Sequence, residues 1–478
     1  MQALAKEATT LSKPVLVDAL RRLLGEEQVR SRALDLLCYS YDSSFLTQTN
    51  DFRPDVVVIP RSADDVAATV RFAREHTVPI TPRGAGTGQT GGAVAAHGGI
   101  VVDLSALNRI LELDADNLQV ICEPGVVHAD LNAFLAKHKL LFPPDPGSTK
   151  MCTVGGMAAN NSRGMRAIKY GATGDYVLGL DVVLPSGELI TTGSLGSRAI
   201  QSSSGLDLTH LFVGSEGMLG IFTRLRLKVL PAPQSRGLVV AAFDVLEDSG
   251  RAVLAVFRAG LLPSAIEILD SSAIKAVNLY KPGLNVPEAE AVLLFELDGN
   301  KPGVAYDAQR VAEVVSQITP RVQWADEPKQ VAALWEGRSV VGAASGQVRP
   351  GATRVYAGED ICVPIARVPE ALRGIQEIGA KHHTIVVTYG HIASGNLHAA
   401  PVINLSSDDE KRRVQIVADE IHELALRLGG TVTGEHGVGM TRRAYMAREH
   451  GPALVTMRLI KAALDPTGIM NPGKTFPE

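Results

Sequence analysis

The segment Gly390-His-Ile-Ala-Ser-Gly-Asn-Leu-His-Ala399 sets two imidazoles on either side of Ser394-Gly395, a dipeptide with hairpin-turn chemistry. A two-residue turn there would make His391 and His398 direct cross-strand neighbours on one face, with Cβ atoms about 5 Å apart. Asn396, two residues before His398, would point to the same side. Gly434-Glu-His-Gly-Val-Gly439 adds a carboxylate, Glu435, and a third imidazole, His436, on glycine-flanked backbone free to take unusual dihedrals. Two histidines and one glutamate with an open position suit Zn²⁺, and a similar set suits Mn²⁺ or Fe²⁺. Spacing alone leaves a second reading open, in which these are structural residues that never meet.

A different chemistry is written in the glycines. Thr81-Pro-Arg-Gly-Ala-Gly-Thr-Gly-Gln-Thr-Gly-Gly92 follows a short strand-like run, and consecutive N–H groups in such a loop form a nest for a pyrophosphate. Gly86, Gly88 and Gly91 satisfy G-x-G-x-x-G, but a Rossmann loop opens a helix within a unit of about 30 residues. Here Ala93–His97 runs at once into Gly98-Gly99 and the next strand, so a phosphate cradle of another topology, or a purely structural turn, is expected. A second region runs from Pro143-Pro-Asp-Pro-Gly-Ser148 through Thr153-Val-Gly-Gly156 to Asn160 and Tyr170-Gly171. Gly155-Gly156 stands before Met157-Ala-Ala159 at an expected helix start, where N–H groups and the helix dipole favour phosphate. Gly214-Ser-Glu-Gly-Met-Leu-Gly-Ile221 is, by itself, a tight connection into a strand. Arg338 follows Val331, Leu334 and Trp335 at helical spacing, so it projects beside an apolar face; a solvated arginine at a helix end is the alternative.

The elements that must position these groups are legible in the hydrophobic pattern. Apolar residues recur at helical spacing within Lys13–Leu37, giving a helical prelude. Strand-like runs follow at Val56–Ile59, Pro79–Thr81, Ile100–Leu104, Leu118–Cys122, Leu178–Leu184 and Ile221–Val229, with a helix over Asp64–His76. Leu230-Pro-Ala-Pro-Gln-Ser-Arg236 interrupts both helix and sheet ladders and marks a linker. Beyond it, strands at Gly237–Phe243 and Glu290–Asp298 alternate with helices around Gly250–Ala259 and Val304–Ile318, as in a sheet with helices on one face. A helix over Pro452–Ala463 ends at Asp465-Pro466.

Composition narrows the function. The chain of 478 residues is 45% hydrophobic and 21% charged, which excludes disorder, coiled coil and collagen and allows two or three domains. Forty-seven basic against 51 acidic residues leave a formal charge of -4, so nucleic acid is not an expected partner. No apolar run is long enough for a transmembrane segment, and Met1–Thr10 lacks the regions of a signal peptide, so a cytoplasmic protein is expected. Cys38, Cys122, Cys152 and Cys362 lie far apart, without a disulfide framework, a thiolate metal site or ligands for an iron–sulfur centre.

The three glycine-rich regions, Pro82–Gly92, Pro146–Gly171 and Gly214–Ile221, in this order and spacing, resemble the flavin-binding domain of the vanillyl-alcohol oxidase superfamily. From about Arg53 to Lys474 the chain is similar to its FAD-linked D-2-hydroxy acid dehydrogenases, of the glycolate oxidase flavin subunit and D-lactate dehydrogenase type. The resemblance implies an α+β fold: an FAD-binding domain of the vanillyl-alcohol oxidase (PCMH) type and a substrate-binding cap domain containing an antiparallel sheet. The expected parts are a helical segment at 1–50, the FAD domain at 51–231, the cap at 232–425 and a returning segment at 426–478. Pro82, Arg83, Gly84, Ala85, Gly86, Thr87, Gly88, Gly91 and Gly92 would hold FAD, with Pro146, Gly147, Ser148, Thr153, Gly155, Gly156, Asn160 and Gly164. Glu216, Gly220, Ile221 and Asn471 complete that set. No histidine stands between Thr81 and Gly92, where some members attach FAD covalently, so non-covalent FAD is expected.

By the same resemblance, His391, His398 and Glu435 would ligate the metal, His436 and Asn396 would serve catalysis, and Arg338 would clamp the substrate carboxylate. The family loop reads Asp-Gly-Asn-Leu-His, and here Ser394 replaces the Asp. Members acting on dicarboxylates carry a lysine that Tyr356-Ala-Gly-Glu-Asp360 lacks, which disfavours 2-hydroxyglutarate. The expected reaction is FAD-dependent oxidation of a small D-2-hydroxy acid, with electrons passing to a non-nicotinamide acceptor: quinone, cytochrome, an electron-transferring flavoprotein or an iron–sulfur subunit. Through such a partner the protein would sit at a membrane periphery. Three competing readings are another flavin alcohol oxidase, a metal-dependent hydrolase with structural glycine loops, and a non-catalytic flavin-binding subunit.

Overall fold

The computed structural model describes residues 11–194 and 196–477; the absence of a signal peptide was read from Met1–Thr10, which lie outside the described residues. The chain divides into two units, the first made of Met1–Ser162, Ala172–Pro231 and His436–Glu478, the second of Arg163–Gly171 and Ala232–Glu435.

In the first unit, the all-buried runs Val56–Val58 and Ile100–Asp103 pair in parallel, and Ile80–Arg83 pairs in parallel on the other edge of Ile100–Asp103. Strands buried on both faces read as continuous apolar runs, which is why they were recognisable. Ser62 caps the helix Ala63–Glu75, its hydroxyl accepting from Asp65 N at 3.1 Å, and Val66, Val70 and Ala73 bury its apolar stripe in this core. The returning segment ties itself to the same sheet: Ile80 N donates to Ile469 O at 2.8 Å and Asn471 N to Ile80 O at 2.7 Å. A second, antiparallel sheet runs Ile110–Asp114, Gln119–Cys122, Ile221–Lys228, Val177–Val183, Leu189–Thr191.

The helical prelude expected over Lys13–Leu37 consists of two helices. Gly25, at φ 94°, ends a helix at Leu24; Val29–Arg30 forms a short strand against Val57 and Val58, and a second helix spans Ala33–Cys38. Periodicity alone does not reveal a break made by one left-handed glycine.

The second unit is built on one antiparallel sheet, in the order Val322–Ala325, Ser235–Phe243, Ala291–Gly299, Ala265–Asp270, Ile385–His391, Asn396–Ile403, Thr353–Arg354, with Ile361–Cys362 also pairing to Asn396–Ile403. Helices cover both faces, which corrects the expectation of one. Along Ser235–Phe243 the side chains of Val239, Ala241 and Phe243 enter one core with helices Leu246–Arg258, Lys301–Ser316 and Val368–Lys381. Leu238, Val240 and Ala242 enter another with helices Ser271–Tyr280 and Pro328–Ala344. A strand apolar at every position has two faces to bury.

The boundary expected after residue 425 falls inside the helix Asp408–Arg427, and the division between units lies at Glu435. Arg163–Gly171 is held in the second unit by buried charges: Arg166 donates to both oxygens of Glu296 at 2.6 and 2.8 Å, and Lys169 and Tyr170 to Asp298 at 2.5 and 2.8 Å.

Candidate active site

Strand parity decides which side chains share a surface. In Ala265–Asp270, Ile266 and Ile268 enter one core, so Glu267 faces the other way with Leu269. In Ile385–His391 the same face carries Val387, Tyr389 and His391; in Asn396–Ile403 it carries Asn396, His398 and Val402. Helix Pro328–Ala344 packs Val341 and Ala344 into the core on this face and brings Arg338 to it.

The register differs from the expected one. His391 pairs with Asn396, and Tyr389 with His398. The connection is not a two-residue turn at Ser394-Gly395: Ile392–Ser394 form a 3₁₀ turn, Ile392 and Ala393 are buried, and Gly395 closes it at φ 80°. A Cβ on Gly395 would stand 1.8 Å from Val363 O, so only glycine serves here. The histidines are therefore diagonal neighbours, which still meet on one face. Their Nε2 atoms are 3.3 Å apart.

Glu435 completes a triangle. Its Oε1 lies 3.4 Å from His391 Nε2 and 3.4 Å from His398 Nε2. Donors about 2.0–2.1 Å from a tetrahedral Zn²⁺ stand about 3.3–3.4 Å apart, so the three atoms fit three corners of such a site. Asp360 is near as well, with ligand atoms of Asp360, His398 and Glu435 within 4.8 Å of one another.

Asp360, at φ 73° and fully buried, organises the Glu435 segment. Its Oδ1 accepts from Asn396 Nδ2 at 2.9 Å and Glu435 N at 3.1 Å, and its Oδ2 from Thr433 Oγ1 at 2.7 Å. Gly434 passes so close to Asn396 that a Cβ would lie 2.1 Å from its Nδ2. Asn396 Oδ1 is buried without a hydrogen-bond partner.

Glu267, wholly buried, links the two halves of the site. Its Oε1 is 2.6 Å from His391 Nδ1, and its Oε2 accepts from Arg338 Nε at 2.7 Å, with Nη2 at 2.6 Å. Arg338 is thus a buried, ion-paired arginine and not a solvated helix end; its guanidinium carbon lies 4.9 Å from the Tyr389 ring centre. Burial pulls the His391 pKa down, but the Glu267 and Glu435 carboxylates outweigh it and hold it up at about 10. Glu267, Asp360 and Tyr389 escaped the sequence reading. For Glu267 one signal existed: a carboxylate inside the apolar run Ala265-Ile-Glu-Ile-Leu269 must have a partner.

The glycine-rich segments converge in the first unit. A Cβ on Gly84 would fall 2.4 Å from Thr153 Oγ1, which brings the first loop against the second. Gly86 has φ 69° and Gly91 φ 75°. Thr153 caps the helix Val154–Asn160, accepting from Gly156 N at 3.3 Å, so Gly155 and Gly156 lie inside its first turn and not before it. Arg83 turns its guanidinium to the loop's own Ala93 O at 3.1 Å and over the Tyr39 ring. Glu216, at φ 49°, accepts from Val438 N and Gly439 N at 2.8 and 2.7 Å. Asn471 Nδ2 donates to Glu216 O at 2.7 Å and Gly92 O at 3.0 Å. Buried polar atoms without partners collect in these segments: Gln89 Oε1, Ser215 Oγ and Asn471 Oδ1. With the bare backbone of Gly84–Gly88, they fit a polar dinucleotide such as FAD.

Other positions have simpler accounts. A Cβ on Gly220 would meet Val182 Cγ1 at 2.5 Å, a packing reason, and Ile221 is a core residue. Nothing lies within 4 Å of a Cβ on Gly147. Gly164 belongs to the Arg163–Gly171 segment of the second unit, and His436 opens the returning segment of the first, one peptide bond beyond Glu435. No helix among the described residues is long and apolar enough to cross a membrane.

Comparison with known proteins identifies the family. Residues 54–193 match the family "FAD binding domain", and residues 232–475 match "FAD linked oxidases, C-terminal domain". Solved structures of p-cresol methylhydroxylase with substrate bound (TM-score 0.79, 18% identity, 96% of each chain) and of 4-ethylphenol oxidase from Gulosibacter chungangensis (TM-score 0.79, 19% identity, 97% of each chain) share the fold. The chain therefore joins an FAD-binding domain to the C-terminal domain of FAD-linked oxidases. The glycolate oxidase subunit GlcD of Bacillus subtilis (strain 168) is 36% identical, covering 96% of this chain and 96% of its own. The D-lactate dehydrogenase of Anaerostipes hadrus is 38% identical over 88% and 89%, and the mitochondrial D-lactate dehydrogenase (cytochrome) of Arabidopsis thaliana 34% over 94% and 79%. The chain belongs to the FAD-linked oxidases of the D-2-hydroxy acid dehydrogenase family.

Proposed function

We propose that the protein oxidises a small D-2-hydroxy acid, of the D-lactate or glycolate kind, to the 2-oxo acid, using non-covalent FAD and a divalent metal. The observation that carries the reading is the set His391, His398, Glu435 and Arg338 on one sheet face, three donors 3.3–3.4 Å apart beside a buried guanidinium. The names of the relatives, glycolate oxidase subunit and D-lactate dehydrogenase, support the same substrate class.

FAD supplies the two-electron acceptor for the Cα–H bond, and a metal on His391, His398 and Glu435 supplies a Lewis acid for the hydroxyl. The chain's own residues do the rest. Arg338 holds the substrate carboxylate with paired N–H donors, a task suited to a planar guanidinium. Asn396 Oδ1, buried and unpaired, accepts a hydrogen bond from the bound acid. His436, one bond from Glu435, takes the hydroxyl proton as the 2-oxo group forms. Burial of His391, Asn396, His398 and Arg338 limits the water that can compete for these donors. Electrons then leave for a non-nicotinamide acceptor, a quinone or a redox protein partner.

The test is the visible spectrum of the purified protein under anaerobic conditions, with Zn²⁺ or Mn²⁺, before and after D-lactate, glycolate or D-2-hydroxyglutarate. Flavin bands that bleach with D-lactate or glycolate are the expected result. Flavin that bleaches with no acid overturns the substrate class, and colourless protein overturns the flavin reading in favour of a metal hydrolase.

A further inference from the structure

Glu267 has no place in the chemistry above, yet both of its oxygens are engaged on the sheet face. It stands in the strand Ala265–Asp270, fully buried, with apolar Ile266 and Ile268 on either side. A carboxylate in such a place needs a partner for each oxygen, since an unpaired buried charge costs several kcal/mol. Each oxygen has one: Oε1 meets His391 Nδ1 at 2.6 Å, and Oε2 meets Arg338 Nε at 2.7 Å and Nη2 at 2.6 Å. The two clients come from distant parts of the chain, a strand end and the helix Pro328–Ala344.

Resting on the function proposed above, we infer that Glu267 is a positioning residue that couples metal affinity to acid affinity. By holding His391 Nδ1 at 2.6 Å it fixes the ring with Nε2 turned to the donor triangle, the role carboxylates play behind metal-bound histidines. By gripping one edge of the Arg338 guanidinium it presents the remaining edge to the substrate carboxylate and fixes that arginine's distance from the metal. Its two oxygens thus set the span across which a 2-hydroxy acid must stretch, from hydroxyl to carboxylate.

Glu267→Gln separates this from a packing role. The amide oxygen can serve one client, and the amide NH₂ then points a donor at the other, so both cannot be satisfied. In the full-length flavoprotein, Zn²⁺ titration without any acid is expected to show affinity about 10–100-fold weaker than wild type. With D-lactate, KM is expected to rise by at least about 10-fold, as for loss of a charge-assisted contact, while flavin content stays at the wild-type level. Arg338→Ala is expected to leave Zn²⁺ affinity within about twofold of wild type, and adding Glu267→Gln to it to lower that affinity without a further rise in KM, because the arginine through which Glu267 acts is gone. Should the glutamine variant fail to fold, Glu267→Asp takes its place: one methylene shorter, it reaches one client only, and the same loss is expected. Wild-type Zn²⁺ affinity and KM in either folded variant overturn the inference. The zinc titration needs no acid, so a wild-type protein that binds Zn²⁺ but oxidises no hydroxy acid refutes the function without touching the Zn²⁺ comparison.

Discussion

The glycine-rich segments and the histidine-bearing sheet face, the two places proposed above for ligands, are built in opposite ways. In the first unit the proposed cradle is backbone: glycines stand at 84, 86, 88 and 91, and side chains such as Thr153 and Glu216 hydrogen-bond to the loops themselves. In the second unit the proposed site is made of side chains, presented by strands whose parity and register set which atoms meet. A backbone cradle tolerates any nearby side chain that keeps out of its way. A side-chain constellation fails when one strand slips by a residue, because every group then turns to the other face. The two regions should therefore break differently, and independently.

The largest effect is expected from blocking the backbone cradle. Gly84→Val puts branched bulk where even a Cβ falls 2.4 Å from Thr153 Oγ1, so the protein should purify without flavin and without activity. Zn²⁺ affinity of the second unit should remain that of wild type; simultaneous loss of both would show the two regions to be one cooperative site. Next comes His436→Ala. Flavin and metal should stay bound while single-turnover bleaching slows by about 10²–10⁴-fold, the usual worth of a positioned base; a slowing below tenfold would move the proton to another group.

Arg338→Lys tests the side-chain region alone. A lysine keeps the charge but loses the fork that pairs with a carboxylate. Loss of about 1.5–3 kcal/mol for a charge-assisted contact corresponds to a KM for D-lactate raised about 10–100-fold, read in steady-state kinetics with flavin content unchanged. An unaltered KM would return Arg338 to a structural role.

The smallest effect concerns the frame of that face. Asp270 caps the helix Ser271–Tyr280 through Ala273 N at 2.9 Å, and burial pushes its carboxyl up to about 6. The unfolded chain ionises near about 3.9, so the stability it contributes is full below about pH 4 and is lost as pH rises through 6. Asp270→Asn keeps the cap without the charge. Its thermal midpoint should therefore fall less than wild type's between pH 4 and 7; identical pH profiles would refute the buried-charge account.

Much of the fold was legible in single residues and runs. The strand Ile100–Asp103 and the helix Ala63–Glu75 were foreseen to within a residue or so, because fully buried parallel strands and capped amphipathic helices write themselves in local pattern. What pattern could not show was the break at Gly25, the second helical layer on the cap sheet, and the register at His391. Each depends on contacts between segments far apart: Val29 with Val58, Leu238 with its helices, Gly395 with Val363.

Residue types and short spacings were enough to propose the chemistry: glycine-rich backbone for a dinucleotide, two histidines and a glutamate for a metal, an arginine for a carboxylate. These are properties of residue types and short spacings, which do not wait for a fold. Only the tertiary structure decided the geometry, by setting His391 and His398 diagonally instead of face to face, bringing Glu435 to 3.4 Å from both, and placing Glu267 between His391 and Arg338. The reason is physical: strand register and helix docking are fixed by burial of two apolar faces at once, a constraint that acts across the whole sheet and leaves no mark on the residues beside each catalytic group.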